Sequence, residues 1–477
     1  EEVRVYRDTF DDCVDYICQL CEEAIPDLPL SITDVINEMG RITRPIAATL
    51  LAEARVTGAS PLFNGNPDFQ DLTDNRGMKL FSEEDPNKWN VAAVACKEAV
   101  EICKEAGISQ LYEFNDSRYD LSEETRRGMS IRGASTEKWN EELIWGNPVN
   151  TSAQLQQRIL PCFKDKDWSH TSGPIPEVYP TFRMAELFYS QNGVPIEEDV
   201  NYDHPHRYQV VTVGDDHTYY IKKGERTAYL NLYREPRFYA SVAYNGSVWH
   251  MLNASAEDKE ETNVPIFYYR DAQDGYKAGT NYLSTGIGIK KFVHPKDLAD
   301  SEKSYDVSRV VQKYAPDIRY AEILLNYAEA LNEVEGSYEI PSWNGETMYT
   351  ITRSATALKE GIQPIRIRAG LPDYEVYDDV KKFRFKVKRE RQIELFAEGH
   401  RFFDIRRWCD APVEEALPIY GCNIYLTSEN PDSFHTPIEV TSLPTMFTTK
   451  MWFWPIHHNI MKRNIWMIQN PGWKDPE

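Results

Sequence analysis

The stretch "RERQIELFAEGHRFFDIRRW", Arg389–Trp408, decides how the fold is interpreted. It places Glu390, Glu394 and Glu398 four residues apart, and His400 follows closely. Carboxylates in a helical row beside a histidine can bind metal ions or transfer protons. The first question is therefore whether this stretch is a catalytic site or a structural helix.

The residue spacing favours a structural helix. One helical face holds Ile393 and Phe396, and the three glutamates lie on another side. Arginines stand three residues before the second glutamate and three after the third, so we expect ordinary i,i+3 ion pairs worth a few tenths of a kcal/mol each. A di-metal carboxylate bundle would need an E-x-x-H motif, and the chain contains none. We predict no metal site and no catalytic residue here. The residues expected to tie the helix to its neighbours are Arg401, Asp404, Arg406 and Arg407.

The composition is that of a large acidic chain with ample material for a core. Of its 477 residues, 41% are hydrophobic, and 28 Tyr, 19 Phe and 11 Trp are present. Lys plus Arg number 53 and Asp plus Glu number 75, so the formal net charge is 53 − 75 = −22. This charge repels nucleic acid and anionic lipid. We expect neutral or cationic solutes, or another protein, as partners, and no nucleic acid.

No segment has the features of a membrane span or an export signal. No run approaches the roughly 18 uncharged apolar residues that a transmembrane helix needs. The first residues, "EEVRVYRDTFDDC", have neither a basic n-region nor an apolar h-region. This start fits a mature or trimmed chain, so it does not indicate a localisation.

Helical periodicity recurs towards both ends of the chain. The first stripe consists of Phe10, Val14, Ile17, Cys21, Ala24 and Leu28. A second helix begins near Pro45, which suits a first turn, and ends at Ser60. The segments "WNVAAVACKEAVEICKEAG" and "RYAEILLNYAEALNEVEG" have a similar length and alternate bulky with small faces. Such helices are typical of tetratricopeptide-like pairs, although their spacing here is irregular.

Between about 107 and 315 the chain changes character. Pro, Gly, Asn and aromatic residues crowd together in "WGNPVN", "YNGSVW" and "NYLSTGIGIKKF", and short β-like runs such as "RYQVVTV" appear. We predict a mainly α fold with an inserted loop-rich subdomain that contains short β-strands. Its parts are a helical region at 1–106, a variable ligand-binding subdomain at 107–315 and a C-terminal helical region at 316–477. Binding surfaces tend to lie on such loops.

Motifs for cofactors and catalysis are weak or absent. Cys13, Cys18 and Cys21 have the C-x₄-C-x₂-C spacing of some iron–sulfur proteins, but their surroundings form an amphipathic helix, which favours core thiols. His204 and His206 could both bind zinc, but no third ligand is evident nearby. The chain has no G-x-S-x-G, P-loop, G-x-G-x-x-G or H-E-x-x-H motif. We expect no cofactor, and a glycosidase pair among the 75 acidic residues stays open.

Aromatic side chains outside the helical stripes are the better binding candidates. An exposed Trp or Tyr ring suits the C–H face of a sugar, as it suits other weakly polar ligands. The alternative is that these rings fill the core of the subdomain, because aromatic residues are usually mostly buried. The candidates are Trp145, Trp168, Trp249, Tyr268, Tyr269 and Tyr276. We assign Trp452 and Trp454, in "MWFWPI", to the core.

Several ordered segments resemble the SusD/RagB family of nutrient-binding outer-membrane lipoproteins. They are "GRITRPIAATLLAEARVTGASPLFNG" (40–65), "REPRFYASVAYNGSVW" (234–249), "TGIGIKKF" (285–292), "IRYAEILLNYAEALNEVEG" (318–336), "IRIRAGLPDY" (365–374), the opening stretch and "WPIHHNIMKRNIWMIQNPGW" (454–473). Together they are spread over nearly the whole chain, from residue 40 to residue 473. The last two, in this order, are highly specific.

The resemblance implies a fold and a function. Tetratricopeptide-like pairs would form one side and face a SusC-like TonB-dependent transporter, and a loop-rich subdomain would carry the ligand site on the other side. The protein would capture an oligosaccharide at the cell surface and pass it inward as a lid over the transporter, without catalysis. The alternatives are a peptide-binding RagB-like lid protein and a hydrolase that acts on the same polymers.

Two departures from the family pattern are visible. The lipid-carrying cysteine that would anchor the protein to the outer membrane is absent, because Cys13 lies inside a predicted helix. The chain also opens where a second repeat would begin, so we expect it to lack the family's first repeat. The resemblance thus implies membrane contact only through an N-terminal lipid that is not in this chain.

Overall fold

Helices form most of the regular structure, and the strands are short. The computed structural model describes residues 5–149, 151–161, 176–252, 264–279, 281–297, 311, 313 and 315–474. The helices are α1 (Phe10–Ala24), α2 (Arg44–Ala59), α3 (Asn87–Glu105), α4 (Glu123–Thr136), α5 (Ser152–Gln157), α6 (Phe182–Leu187), α7 (Pro236–Ser241), α8 (Tyr320–Asn332), α9 (Ala355–Arg368), α10 (Val380–Glu394), α11 (His400–Arg407), α12 (Ala411–Glu414), α13 (Pro431–His435) and α14 (His458–Arg463).

The strands pair only two at a time within the described residues. They are β1 (Leu143–Asn147), β2 (Val210–Thr212), β3 (Arg226–Ala228), β4 (Val242–Ala243), β5 (Ser247–Val248), β6 (Pro265–Ile266), β7 (Gly288–Ile289), β8 (Ala315–Arg319), β9 (Ser337–Pro341), β10 (Met348–Thr352), β11 (Tyr420–Gly421) and β12 (Ile438–Glu439). The antiparallel pairs are β1–β8, β2–β3, β4–β7, β5–β6, β9–β10 and β11–β12. The predicted mainly α class with short strands is confirmed.

The helical frame is a consecutive stack. α1 packs on α2, α2 on α3, α3 on α8, and α8 on both α9 and α10. Small residues allow the close approach, since Ala52, Ala92 and Ala99 are each 0% exposed. Thr9 caps α1 by accepting a hydrogen bond from the backbone of Asp12. These helices enclose the first hydrophobic core.

A second hydrophobic core lies beneath the loop-rich part. Phe188 and Phe238 are 0% exposed there, and their rings meet edge to face with centroids 5.8 Å apart. Helix α10 joins the two cores, because Val387 belongs to the first and Ile393 to the second. The opening stretch therefore lies at the junction of the frame and the loop-rich part. The boundaries at 106/107 and 315/316 stay a prediction.

Two expectations about the C-terminal third are wrong. The stretch 389–408 is not one helix, because α10 ends at Glu394 and α11 begins at His400. Ala397 and Gly399, in the turn between them, have φ angles of 63° and 92°, which a right-handed helix does not allow. Trp454 is not in the core either, since it is 70% exposed.

Candidate ligand-binding site

The three glutamates of the opening stretch lie in the interior. The side chains of Glu390, Glu394 and Glu398 are at most 2% exposed. Their basic partners come from other parts of the chain and are Arg237, Arg319, Arg366, Arg368 and Lys291. The prediction of ordinary i,i+3 ion pairs is wrong, because local spacing does not reveal cations that the fold brings in from distant segments.

Hydrogen bonds hold each of these carboxylates in place. Glu390 accepts from Arg237 Nη1 at 2.6 Å and from the hydroxyl of Tyr374 at 2.6 Å. Glu394 accepts from Arg319 Nη1 at 2.9 Å and from Arg237 Nη1 at 3.3 Å. Arg237 thus links α7, in the loop-rich part, to two successive turns of α10. We call this group of buried acidic and basic side chains the buried ion network.

The buried ion network is poorly suited to proton transfer. Burial acts to raise the pKa of Glu398, but Arg319 and Lys291 outweigh it and lower that pKa to about 2. Burial and the nearby Arg391 lower the pKa of His400 to about 4. A general base works best when its pKa lies near the working pH. These charges therefore favour a structural role for the segment.

The predicted ties of α11 to its neighbours are confirmed. Asp404 accepts from Arg391 Nε at 2.7 Å and from Arg407 Nε at 2.9 Å. Arg401 Nη2 donates to Glu414 at 2.9 Å and so connects α11 to α12. The segment is therefore held on both sides of its break.

The six aromatic candidates differ in how deeply they are buried. Trp249, Tyr268 and Tyr269 are 1%, 3% and 4% exposed and belong to the second core. For these three rings the structure agrees with the alternative that they fill the core of the subdomain. Trp145 is half-buried on β1 and packs against the first core. Trp168 lies outside the described residues.

Tyr276 belongs to a group of partly exposed tyrosines. Its ring meets that of Tyr282 at a centroid distance of 4.7 Å and an angle of 84°, and that of Tyr425 at 5.0 Å and 72°. Tyr425 is 53% exposed, and the other two are half-buried. We call these three residues the tyrosine cluster. Rings locked edge to face offer a rigid aromatic surface to a ligand.

Two loops hold the tyrosine cluster together. Lys277 Nζ donates to the carbonyl oxygen of Arg270 at 2.8 Å, and the backbone N–H of Arg270 donates to the carbonyl oxygen of Leu426 at 2.9 Å. Ser428 donates to Asp271 through its backbone N–H at 2.8 Å and its hydroxyl at 2.6 Å. These bonds fix the loop after β6 against the loop after β11, so the rings are placed before any ligand arrives.

An open cavity of about 600 Å³ borders the same two loops. Its lining includes Glu225, Arg226, Phe267, Tyr269, Asp271 and Ser428. Ligand pockets commonly have volumes in this range and combine ring surfaces with a few polar groups. The three rings of the tyrosine cluster do not line this cavity themselves, but the two loops that carry them do, and we take the cluster and the cavity together as the candidate ligand-binding site. Tyr269 and Tyr276 are the sequence candidates that it contains.

The polar lining of the cavity is mainly acidic. Glu225 accepts the hydroxyl of Tyr269 at 2.8 Å. Arg226 is already paired, because its Nη2 lies 2.6 Å from a carboxylate oxygen of Asp432. Burial acts to raise the pKa of Asp271, but the hydrogen bonds from Ser428 hold that pKa below its usual value. Ionised carboxylates accept hydrogen bonds from hydroxyl groups and repel anions.

A larger groove of about 1030 Å³ lies elsewhere, between α6, α11, α12 and the segment 417–451. Its walls are largely apolar, with Phe402, Leu417 and Met446 among them. Arg401 and Glu414 form an ion pair in it at 2.9 Å. It does not contain any of the aromatic candidates from the sequence. We call it the α11–α12 groove.

The zinc alternative finds no support among the described side chains. His206 Nδ1 lies 2.9 Å from Asp203 Oδ1 on an exposed turn. Within the part of the chain that the structure describes, no three His, Cys, Asp or Glu side chains are placed to hold a metal ion. The same residues contain no helix that is both long and apolar enough to cross a bilayer.

Comparisons with known proteins agree on one family. Residues 141–473 match the sequence model of the SusD family. The structure of BT4246 is 26% identical and superimposes with a TM-score of 0.76 over 98% of this chain and 77% of that chain. No curated protein matches the chain.

Two structures from Bacteroides fragilis share the fold at lower identity. The SusD-like protein BF3747 is 19% identical, with a TM-score of 0.63 over 97% of this chain and 71% of that chain. The SusD-like carbohydrate binding protein BF0978 is 20% identical, with a TM-score of 0.56 over 97% and 72%. At these identities the likeness concerns the fold alone.

Proposed function

The chain belongs to the SusD family, and on this premise we propose that it is a cell-surface protein that binds a neutral oligosaccharide at the tyrosine cluster. The observation that carries the proposal is the rigid, partly exposed group of Tyr276, Tyr282 and Tyr425 beside a cavity of about 600 Å³. Sugar rings bind aromatic faces through their C–H groups, and their hydroxyls would reach the carboxylates of the lining.

The charge of the molecule supports a neutral ligand. The net charge is −22, and Glu225 and Asp271 line the cavity while the cation of Arg226 is already paired. A uronic-acid or sulfated polymer would be repelled over distances of about 8–10 Å at ordinary ionic strength. A neutral chain is not repelled.

The protein then delivers its ligand rather than changing it. We propose that it acts with a SusC-like TonB-dependent transporter at the outer membrane and that it has no hydrolase activity. Co-purification of the two proteins tests the first part. Incubation with the bound glycan tests the second, because a hydrolase would release new reducing ends.

The binding test uses calorimetry with a panel of neutral oligosaccharides. We expect Tyr276→Ala and Tyr425→Ala each to weaken binding about fivefold or more, which corresponds to a lost ring contact of about 1 kcal/mol. Tyr16→Ala is the matched control, since Tyr16 is 61% exposed but lies on α1. Equal affinity of all three variants and the unmodified protein would refute this placement of the site.

A second candidate function is peptide capture in the α11–α12 groove. Apolar walls beside the ion pair of Arg401 and Glu414 suit a chain whose side chains alternate in polarity. Calorimetry with a casein digest distinguishes the two candidates. Binding that survives Tyr425→Ala but is lost with Met446→Asp would favour the peptide.

A further inference from the structure

A separate cavity of about 530 Å³ opens between α2, α8, α11 and the segment 452–470. We call it the aromatic cavity. Its walls include Phe63, Phe402, Phe403, Trp452, Phe453 and Trp454. It shares no lining residue with the cavity beside the tyrosine cluster. The function proposed above makes no use of it.

The outer wall of the aromatic cavity leaves ring surface in contact with water. Trp454 is 70% exposed and Phe403 is 60% exposed. The ring centroid of Phe402 lies 5.2 Å from that of Phe403 and 6.1 Å from that of Trp454. Ring faces carry negative electrostatic potential and attract cations, most strongly when the ring is that of Trp. Covering these rings would also remove apolar surface from water.

Glu53, half-buried on α2, is the glutamate that lines the aromatic cavity. Its side chain neighbours that of Glu322 on α8, which is 2% exposed and is not part of the lining. Burial, and then the neighbouring Glu53, raise the pKa of Glu322 well above its usual value. Of the two carboxyl groups, the one within reach of a ligand in the cavity is therefore that of Glu53.

The cations around this pair are engaged with other acids. Arg391 approaches Glu322 at 3.4 Å but binds Asp404 at 2.7 Å. His400 Nδ1 lies 3.3 Å from Glu322, and burial together with Arg391 lowers the pKa of His400 to about 4, so the ring is neutral.

The two remaining arginines of the lining also form ion pairs with acidic side chains. Arg407 binds Glu329 and Asp404, and Arg406 lies 2.9 Å from Glu415. In the described part of the chain, no basic nitrogen forms an ion pair with Glu53. Glu53 is thus the acidic residue of the lining that is available to pair with a cationic ligand.

We propose that the aromatic cavity binds a small organic cation, with its ammonium group against Glu53 and its alkyl groups against the rings of Trp454 and Phe403. The ammonium group gives Glu53 the cationic partner that it lacks in the described part of the chain. Quaternary and primary amines fit this description, because cages of aromatic rings beside a carboxylate select positive charge. Neutral molecules of the same shape gain only the ring contacts.

Calorimetry of the full chain with choline and with 3,3-dimethylbutan-1-ol, its neutral isostere, tests the proposal. We expect choline to bind at least tenfold more tightly than the alcohol at pH 7. Equal binding of the two probes, or binding of neither, would overturn the proposal.

Variants locate the site. Glu53→Gln keeps the shape but removes the charge, so choline should bind at least tenfold more weakly. Glu22→Gln, on the exposed side of α1, is the control and should change nothing. Trp454→Ala should weaken choline binding about fivefold without lowering the melting temperature, since the ring is exposed.

An alternative use of the same rings would also be detected. If they formed a contact between two copies of the chain, light scattering would show a dimer that Trp454→Ala converts to monomer. Choline binding that is unaffected by both Glu53→Gln and Trp454→Ala would place the cation elsewhere and contradict the assignment.

Discussion

At the scale of single residues, the network around Glu394 shows where sequence interpretation stops. The four-residue spacing of the glutamates is visible, and so is the helix that carries it. Their partners are not, because Arg237 lies 157 residues before Glu394 and Arg319 lies 75 residues before it. A buried glutamate and an exposed one look alike in a sequence unless the distant cation is known.

Glu394→Gln should lower the free energy of unfolding by about 3–5 kcal/mol. The substitution leaves buried guanidinium groups of Arg237 and Arg319 without their full countercharge, which is the costly way to break a buried pair. Denaturant unfolding measures the change. Glu38→Gln, in the exposed pair with Arg41, is the control and should cost well under 1 kcal/mol. Similar losses for the two variants would contradict the argument.

At the scale of elements, periodicity and end signals located the long helices well. α2 begins at Arg44, next to Pro45, and ends at Ala59 before Ser60, as predicted. The stripe of α1 was less accurate, because Ile17 is 47% exposed while Cys18 is buried. Burial depends on which neighbour a helix meets, and one helix seen alone does not reveal that.

The break between α10 and α11 was missed for a different reason. Apolar spacing continues through it, so the 3.6-residue pattern alone predicts one helix. Gly399 could have marked the end of α10, since glycine adopts positive φ without strain. Ala397 gives no such signal, although its φ is 63°. Its neighbours Leu395 and Phe396 are buried in the first and the second core, and such distant contacts leave no local signal in the sequence.

Two helical glycines make a matched test of close packing. A Cβ on Gly361 of α9 would lie 2.6 Å from the carbonyl oxygen of Leu324 in α8, whereas one on Gly128 of α4 would meet nothing within 4 Å. We expect Gly361→Ala to destabilise the protein by about 1–3 kcal/mol, because the crowded contact exceeds the gain in helix propensity. Gly128→Ala should stabilise it by roughly 0.5–1 kcal/mol.

Thermal and denaturant unfolding of the two variants provide the measurement. Opposite signs would support the close approach of α8 and α9. A stabilising effect of both substitutions would show that these helices lie further apart than the structure places them.

At the scale of the whole molecule, the class and the family were predictable, and the ligand site only in part. Tyr276 was a candidate, but Tyr282 and Tyr425 were not. Their signal was an aromatic residue among turn-forming residues, in "NYLSTG" and "NIYLTSEN". Distant loops assemble the tyrosine cluster through backbone hydrogen bonds, and no local pattern encodes such bonds.

The buried charges predict how the molecule responds to acid. Burial lowers the pKa of His435 to about 4, and burial with Arg391 does the same for His400. The unfolded chain therefore binds more protons than the folded one below pH 6.5, so stability should fall between pH 6.5 and 4. Glu398, with its pKa lowered to about 2, adds a second loss below pH 4.5. Burial raises the pKa of Glu322 instead, so protonation of this residue on acidification favours the folded state.

Melting temperatures followed by circular dichroism from pH 7 to pH 3 test this response. We expect a continuous decrease on acidification, and a weaker pH dependence between 6.5 and 4 for His435→Gln. A protein that melts at a higher temperature at pH 4 than at pH 7 would contradict the expected sign.

The position of Arg237 along the chain has a consequence for biosynthesis. This guanidinium is translated 153 residues before Glu390, the first of its α10 partners. Until that acid leaves the ribosome or an export channel, Arg237 has only Glu235, 2.7 Å from its Nε, of the buried acids that surround it in the finished fold. The final compaction of the loop-rich part must wait for the last third of the polypeptide, so a prematurely terminated product should remain open and protease-sensitive rather than form a smaller stable protein.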